Sequence, residues 1–291
     1  MKQLKIGDIL IDSIVERAGP WRPPEAIFPA YHAEPGLRHL KELGPAHYEA
    51  TTNRLSMTYQ SYLIRTPRRT ILVDTCTGDD KGYPPPLDFP KRAWMDGLLA
   101  LGLGPEDIDI VFCTHLHIEH CGWNTTLRNG RWVPTFPRAT YVFHRGEYEY
   151  WQARTARGER PPGAVWTINC EPVVAAGQGL LVGEDHVLDE GVTLTLTPGH
   201  TPWHCCVDIA SGGQRAGLAG DLMHHALQLR EPEWSTVYCA DAAQAARSRR
   251  DYLTKAAEQQ TVLLPVHFPI PSAGRVAVDG TRFRWLPLGS A

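Results

Sequence analysis

Apolar and polar residues alternate from Leu4 to Ile14, again from Leu55 to Ile64, and over Thr70 to Val73, with polar, Gly or Pro punctuation between the stretches. A period of two turns one face toward a core, so these segments are predicted strands and the chain opens β-rich. Between the first two lies Ala18 to Thr52, with scattered Pro and Gly and with Trp21, Phe28 and Tyr31. It is too irregular for a strand and too aromatic for a disordered tail, which predicts an ordered loop wrapping the body at about residues 18–52. After Pro84, Pro85 and Pro86, the stretch Phe89 to Leu101 sets Trp94, Leu98 and Leu101 at helical spacing, and Gly102 and Gly104 end it. Ile108 to Cys113 follows as a short continuous apolar run, the pattern of a strand buried on both faces.

Further along, Ala139 to Phe143 predicts a strand and Glu147 to Ala153 a helix, before a loop-rich passage around Pro161, Pro162 and Gly163. Val192 to Leu196, Cys205 to Ile209 and Val262 to Val266 resume the strand pattern. Asp241 with Gln244 resembles a capping box that opens a helix with Ala242, Ala245, Ala246, Leu253, Ala256 and Ala257 on its apolar face. Strands and helices interleave without a repeat of fixed period or a low-complexity linker, so one α/β domain over 1–291 is expected.

Composition narrows the function classes. The 291 residues carry 29 Lys and Arg against 32 Asp and Glu, a net charge of -3, and the basic residues are dispersed, so no nucleic-acid partner is expected. No apolar run reaches the ~18 residues of a membrane span, and the first ten residues lack the layout of a secretion signal. Seven cysteines, irregularly spaced and without a CxxC pair, do not read as a disulfide framework, and a reducing, cytoplasmic setting is expected.

Chemistry concentrates after the buried strand, in Cys113-Thr114-His115-Leu116-His117-Ile118-Glu119-His120. His115 and His117 share a side if the chain stays extended, and a turn toward Gly122 swings Glu119 and His120 to a neighbouring position. Three histidines so close at a strand end are hard to explain as packing, because each buried ring needs partners for both nitrogens. They suit a metal centre with N and O donors. His200, Asp221 and His267 each follow a later apolar run. Singly, each has the bland reading of a loop residue or cap; together they extend the ligand set.

With these residues in order, the chain resembles the metallo-β-lactamase-fold superfamily, whose hallmark is an HxHxDH motif followed by a His, a bridging Asp and a last His. The resemblance implies an αββα sandwich with metals at the strand ends. It implies that His115, His117 and His200 hold metal one, that Asp221 bridges, and that Glu119, His120 and His267 hold metal two. Asp74 resembles the buried acid that orients ligands in the first motif. Glu119 stands where the superfamily usually has Asp, so three outcomes are open: an altered dinuclear site, a weakly held second metal, or a mononuclear site with Glu119 free as a base. The dinuclear site is the expectation, with zinc first and iron or manganese as alternatives.

Hydrolysis of an ester or lactone of a small molecule by metal-bound hydroxide follows as the expected reaction, with Glu119, Asp221 and His224 as the catalytic residues. His224 lies three residues beyond Asp221, where lactonases of this superfamily carry a Tyr that reaches the substrate carbonyl; it can polarise or protonate the substrate, or be a plain surface or outer-shell residue. His204 is expected to pack or hydrogen-bond locally, and Cys121 to be a small buried residue under the site. The stretch through Trp123-Asn124-Thr125 to Trp132-Val133-Pro134 resembles the branch of N-acyl-homoserine lactonases and methyl-parathion-hydrolase-like esterases. Trp21, Phe28 and Tyr31, with Tyr148, Tyr150 and Trp151, can wall a pocket for an acyl or aryl group, or can serve the core or a homodimer interface. The competing readings are a β-lactamase or phosphotriesterase on the same site, an iron-binding oxidoreductase, and a catalytically relaxed binding protein.

Overall fold

A computed structural model describes residues 3–82, 89–159 and 166–289; the prolines at 84–86 and the passage at 161–163 lie outside them. Two mixed sheets face one another. The first runs, in spatial order, Leu4–Ile6, Ile9–Arg22, Arg54–Arg65, Thr70–Val73, Ile110–Phe112, Thr140–His144 and Gly179–Val182, with Tyr48–Glu49 also paired to Arg54–Arg65. The second runs Val187–Asp189, Val192–Leu196, Cys205–Ser211, Gln214–Leu218, Val262–Leu264, Gly274–Asp279 and Arg282–Pro287.

The expected alternation explains how the sheets stack. Ile11, Tyr62, Ile64, Ile71, Val73, Phe112 and Val142 meet Val192, Leu194, Val207, Ile209, Leu218 and Leu264 in a core between the sheets. The opposite residues of the first sheet, Leu63, Leu72, Val111, Tyr141 and Phe143, pack under helices Trp94–Ala100 and Arg145–Ala156 through Trp94, Leu98, Tyr148 and Trp151. Cys206, Leu263, Val276 and Phe283 of the second sheet are covered by helix Ala242–Glu258 through Tyr252, Leu253, Ala256 and Ala257. Helix, sheet, sheet and helix form the αββα order that the resemblance implied. Asp241 caps that last helix by accepting a 2.8 Å bond from the Gln244 amide, while the Gln244 side chain turns to Arg247 and Ser248 rather than closing a full box.

The stretch expected to be an irregular loop at 18–52 carries regular structure. The second strand continues to Arg22, and helices Pro24–Ile27 and Ala33–Leu43 follow. Pro35 and Gly36 hid the longer helix, but Pro is tolerated in a first turn, where its missing N–H has no helical partner to lose. The stretch does wrap the body: Trp21, Ile27, Phe28 and Leu40 pack with Tyr59, Phe89, Leu227 and Trp234. All seven cysteines are free, six of them buried. No helix of the described residues is long and apolar enough to cross a membrane.

A histidine pair links this N-terminal wrap to the loop after Asp221. His225 Nε2 donates to the His47 carbonyl at 2.9 Å and its Nδ1 accepts from the Leu227 amide, so the ring is used up in its neutral form. Burial lowers His47 to about 4 and His225 to about 3, from an ordinary 6.5. Between those values the unfolded chain binds the extra protons. Stability is therefore fully present above about pH 6.5 and is lost as pH falls toward 4, at up to about 1.4 kcal/mol per pH unit for each ring. Urea denaturation of wild type and His47→Gln across this range checks it; equal slopes would remove His47 from the account.

Candidate metal centre

The candidate ligand residues stand at strand ends on one edge of the sandwich. After Ile110–Phe112 the chain bends, then enters the one-turn helix Ile118–Cys121, which closes through the His120 amide on the His117 carbonyl at 3.1 Å. His115 and His117 converge as expected, although through a bend rather than an extended run. Their Nε2 and Nδ1 atoms lie 3.0 Å apart, and His200 Nε2 lies 3.1 and 2.9 Å from them. Three nitrogens each ~2.0–2.1 Å from one tetrahedral zinc stand about 3.3 Å apart, so the triangle has the dimensions of a metal-binding face.

Asp221 closes this group and opens a second. Its Oδ2 is 3.1 Å from His200 Nε2 and 3.6 Å from His115 Nε2, while Oδ1 is 3.1 Å from His120 Nε2 and 2.9 Å from His267 Nε2. Ligand atoms of His115, His117, His200 and Asp221 form one set within 4.8 Å, and those of Glu119, His120, Asp221 and His267 form another. The longer Glu119 side chain thus still reaches the second set.

The hydrogen bonds behind the rings decide which atoms face inward. His267 Nδ1 donates to the Thr58 carbonyl at 2.9 Å, so its Nε2 carries a bare lone pair. His120 Nδ1 meets Asp74 Oδ2 at 2.8 Å; the carboxylate only accepts, so that nitrogen holds a proton and Nε2 is the atom turned toward Asp221. His120 Nε2, His267 Nε2 and both Asp221 oxygens are buried with no hydrogen-bond partner. These four atoms, facing one another at about 3 Å, repel unless positive charge lies among them, as protons on the rings or as metal ions, and the donor set fits two divalent ions.

The buried field splits the rings: burial lowers His120 and His200, but Asp221 outweighs it and raises His120 well above the ordinary range and His200 to about 9, so protons compete with cations for these two nitrogens. Burial and the neighbouring His120 and His200 rings hold His115 and His117 well below the ordinary range, leaving them neutral as ligands must be. Burial raises the Asp221 carboxyl, but His120, His267, His224 and His200 outweigh it and keep it well below the usual carboxylate range. Asp74 adopts a positive φ of 58°, and it accepts from the Thr114 amide at 2.8 Å and from its hydroxyl, which in turn faces His115 Nδ1 at 3.2 Å. Asp74 thus contacts His120 directly and His115 through the Thr114 hydroxyl.

Residues 58–267 match the metallo-beta-lactamase superfamily. The chain belongs to that superfamily. Among curated relatives, the N-acyl homoserine lactonase AttM of Agrobacterium fabrum is 31% identical over 134 residues, 42% of this chain and 43% of AttM. The N-acyl homoserine lactonase of Bacillus cereus is 26% identical over 52% of this chain and 58% of its own length. The matched region therefore spans about half the length of these curated relatives. Among solved structures, AidC, described as a dizinc quorum-quenching lactonase in complex with a product, superposes with a TM-score of 0.83 at 20% identity, covering 100% of this chain and 98% of AidC. This metallo-beta-lactamase-superfamily chain thus has lactonase relatives and a full-length structural counterpart.

The remaining candidates sort clearly. His224 is buried, which removes the plain surface reading: Nε2 lies 3.2 Å from Asp221 Oδ2, and the ring stacks with His267 and Tyr238. His204 packs locally as expected and does more, its Nε2 accepting the Asp221 amide at 2.9 Å while Nδ1 faces Thr197 Oγ1 at 2.8 Å. Cys121 is buried with its thiol on the His117 carbonyl, outside both ligand sets. The expected aromatic wall divides in two. Trp21, Phe28 and Tyr31 gather with Tyr59, Phe89 and Trp234, whereas Tyr148, Tyr150 and Trp151 sit on the outer helix Arg145–Ala156, and of these Trp151 reaches His117, at 5.4 Å between ring centroids.

Three supporting residues carry no signal in the sequence. Glu147 accepts from the Leu116 amide and from Trp151, gripping the ligand loop between its histidines. Buried Glu16 gathers the Thr77 and Gly78 amides and the Trp123 indole beside the His120 turn. Buried Arg249 donates to the Leu222 and Pro232 carbonyls and so fixes the loop carrying Asp221 and His224.

Proposed function

We propose that the chain is a dinuclear metallohydrolase that opens a lactone or ester of a small molecule bearing an acyl or aryl group. The carrying observation is Asp221, whose two bare buried oxygens belong to two ligand sets at once. His115, His117, His200 and Asp221 would hold one ion, and Glu119, His120, Asp221 and His267 the other. The nitrogen-rich set favours zinc. Bound there, two divalent ions supply Lewis-acid polarisation of a carbonyl and lower the pKa of water toward ~7.

The chain's own groups do the rest. Asp74 and the Thr58 carbonyl lock the His120 and His267 tautomers, and His204 holds the Asp221 backbone in place. Asp221 stays ionised because the surrounding histidines outweigh burial and hold its carboxyl low, and half-buried Glu119, the most accessible carboxylate of the two sets, would face the incoming substrate. Burial lowers His224 to about 3, so its neutral ring, with Nε2 3.2 Å from Asp221 Oδ2, would line the site beside Asp221 and is no proton donor to the substrate. The buried cluster of Trp21, Tyr59 and Phe89 lies beside His267, with Tyr59 and His267 ring centroids 5.2 Å apart, and would form the floor beneath the apolar part of the substrate.

Elemental analysis of the purified protein, followed by chromogenic lactone, ester, phosphotriester and β-lactam substrates, tests this reading. Two zinc ions per chain with turnover of lactone or ester is the expected result. Iron in excess of zinc without hydrolysis would overturn it, and turnover confined to phosphotriester or β-lactam would replace the substrate class.

A further inference from the structure

The backbone around His200 is clamped. Gly199 adopts φ +129°, and a Cβ there would lie 2.1 Å from the Ala245 amide nitrogen at the start of the last helix. The Ala240 and Asp241 amides donate to the His200 and Gly199 carbonyls, each at 2.9 Å, and Ser248 Oγ donates to the Pro198 carbonyl at 2.6 Å. These contacts place the His200 Cα, while the tilt of its buried ring is set by what meets its two nitrogens. Rotation is what decides whether Nε2 points at His115, His117 and Asp221.

The ring's outer nitrogen meets a sulfur. His200 Nδ1 lies 3.6 Å from Cys239 Sγ, and that sulfur lies 3.5 Å from Thr236 Oγ1. Because Nε2 faces the other ligand atoms, Nδ1 carries the hydrogen, and the sulfur accepts it. The rings of His115, His120 and His267 are backed by oxygen: the Thr114 hydroxyl, the Asp74 carboxylate and the Thr58 carbonyl. His200 is backed by a thiol, a weaker acceptor, and Cys239 is the one cysteine that is not fully buried.

We propose that Cys239 is a positioning residue for the metal centre, fixing the tautomer and rotation of His200 and thereby the affinity of the first ion. This rests on the reading of the cluster as a metal site. Groups behind metal-bound histidines orient the ring and raise its basicity, and losing one typically weakens metal binding 10–100-fold. With an acceptor as weak as a thiol, the lower end of that range applies here.

The test compares wild type, Cys239→Ala, Cys239→Val and Cys239→Ser by competing zinc off each protein with a chromogenic chelator, and by recording the visible bands of the cobalt-loaded proteins. Cys239→Ala and Cys239→Val are expected to hold the first ion about tenfold more weakly, with altered cobalt bands, lower kcat and unchanged KM. Cys239→Ser, which keeps an acceptor, is expected to recover most of the affinity. Val fills the sulfur's volume, so at least one variant lacking the acceptor keeps the packing. Chelator curves and cobalt bands for Ala and Val that coincide with wild type would overturn the proposal. A wild type that holds no ion at all would instead overturn the metal reading beneath it, so the two failures are told apart.

Discussion

An Asp221→Asn variant is expected to keep at most one ion per chain and to lose at least ~10³-fold in kcat/KM toward whichever lactone or ester the wild type hydrolyses, the rate equivalent of several kcal/mol of lost metal assistance. The substitution preserves volume and removes one charge. An amide offers one acceptor and one donor, whereas an ion on either side of this residue would need an acceptor: His200 Nε2 stands near Oδ2, and His120 and His267 Nε2 near Oδ1. Whichever way the amide turns, its NH₂ meets lone pairs on one side and satisfies them by hydrogen bonding, which stabilises the metal-free form of that set. The fold should therefore survive while the centre does not. Metal content by elemental analysis, the far-UV spectrum and kcat/KM measured together separate these effects. Two ions bound with activity within about tenfold of wild type would mean that Asp221 does not join the two sets.

Asp221 is legible in the amino-acid pattern while the groups that support it are not, and the difference follows from the range of the interactions. His115, His117, Glu119 and His120 lie within one short segment, and His200, Asp221 and His267 each sit where a readable apolar run stops. The strands themselves are legible because the core between the sheets enforces alternation, as in the agreement of Thr70–Val73 and Val192–Leu196 with their predicted spans. The supports are not legible, because nothing local marks them. Glu147 opens a helix and looks like any acid in a first turn, yet its carboxylate serves Leu116, 31 residues earlier. Glu16 sits between Val15 and Arg17 on a strand, buried like Ile14, and serves Thr77, Gly78 and Trp123. The acceptor behind His267 is a backbone carbonyl, that of Thr58, which has no sequence signature at all. His204 is an intermediate case: its spacing after His200 marks it as local, and the local partner is Thr197, but its bond to the Asp221 amide depends on how two adjacent strands end. The helix Ala33–Leu43 is hidden for a different reason, since Pro35 and Gly36 break a helix in its middle but are harmless near its start.

Gly122 shows how tightly the second ligand set is built into the fold, and Gly122→Ala is expected to lower stability by more than about 4 kcal/mol, a fall in Tm on the order of 10 °C. Its backbone is helical at φ -64°, so a side chain meets no conformational strain. The obstacle is packing. A Cβ would lie 2.0 Å from the Thr77 carbonyl carbon, 2.1 Å from its oxygen and 2.5 Å from the Gly78 nitrogen. These are backbone atoms of a loop that cannot retreat, because Glu16 holds the Thr77 and Gly78 amides from behind. The two loops are also laced together: the Gly122 amide donates to the Cys76 carbonyl at 2.7 Å, Trp123 to Thr75 at 2.9 Å, and Thr75 to His120 at 2.8 Å. Pushing them apart therefore moves His120 itself, and the second ion should be held more weakly than the first. Gly130→Ala is the matched control, since Gly130 has a left-handed φ of 75° with open space around it and should lose only the ~1–2 kcal/mol of backbone strain. Thermal melts and chelator competition on both variants decide the matter. If Gly122→Ala melts with Gly130→Ala and keeps both ions, close packing at Gly122 does not position His120.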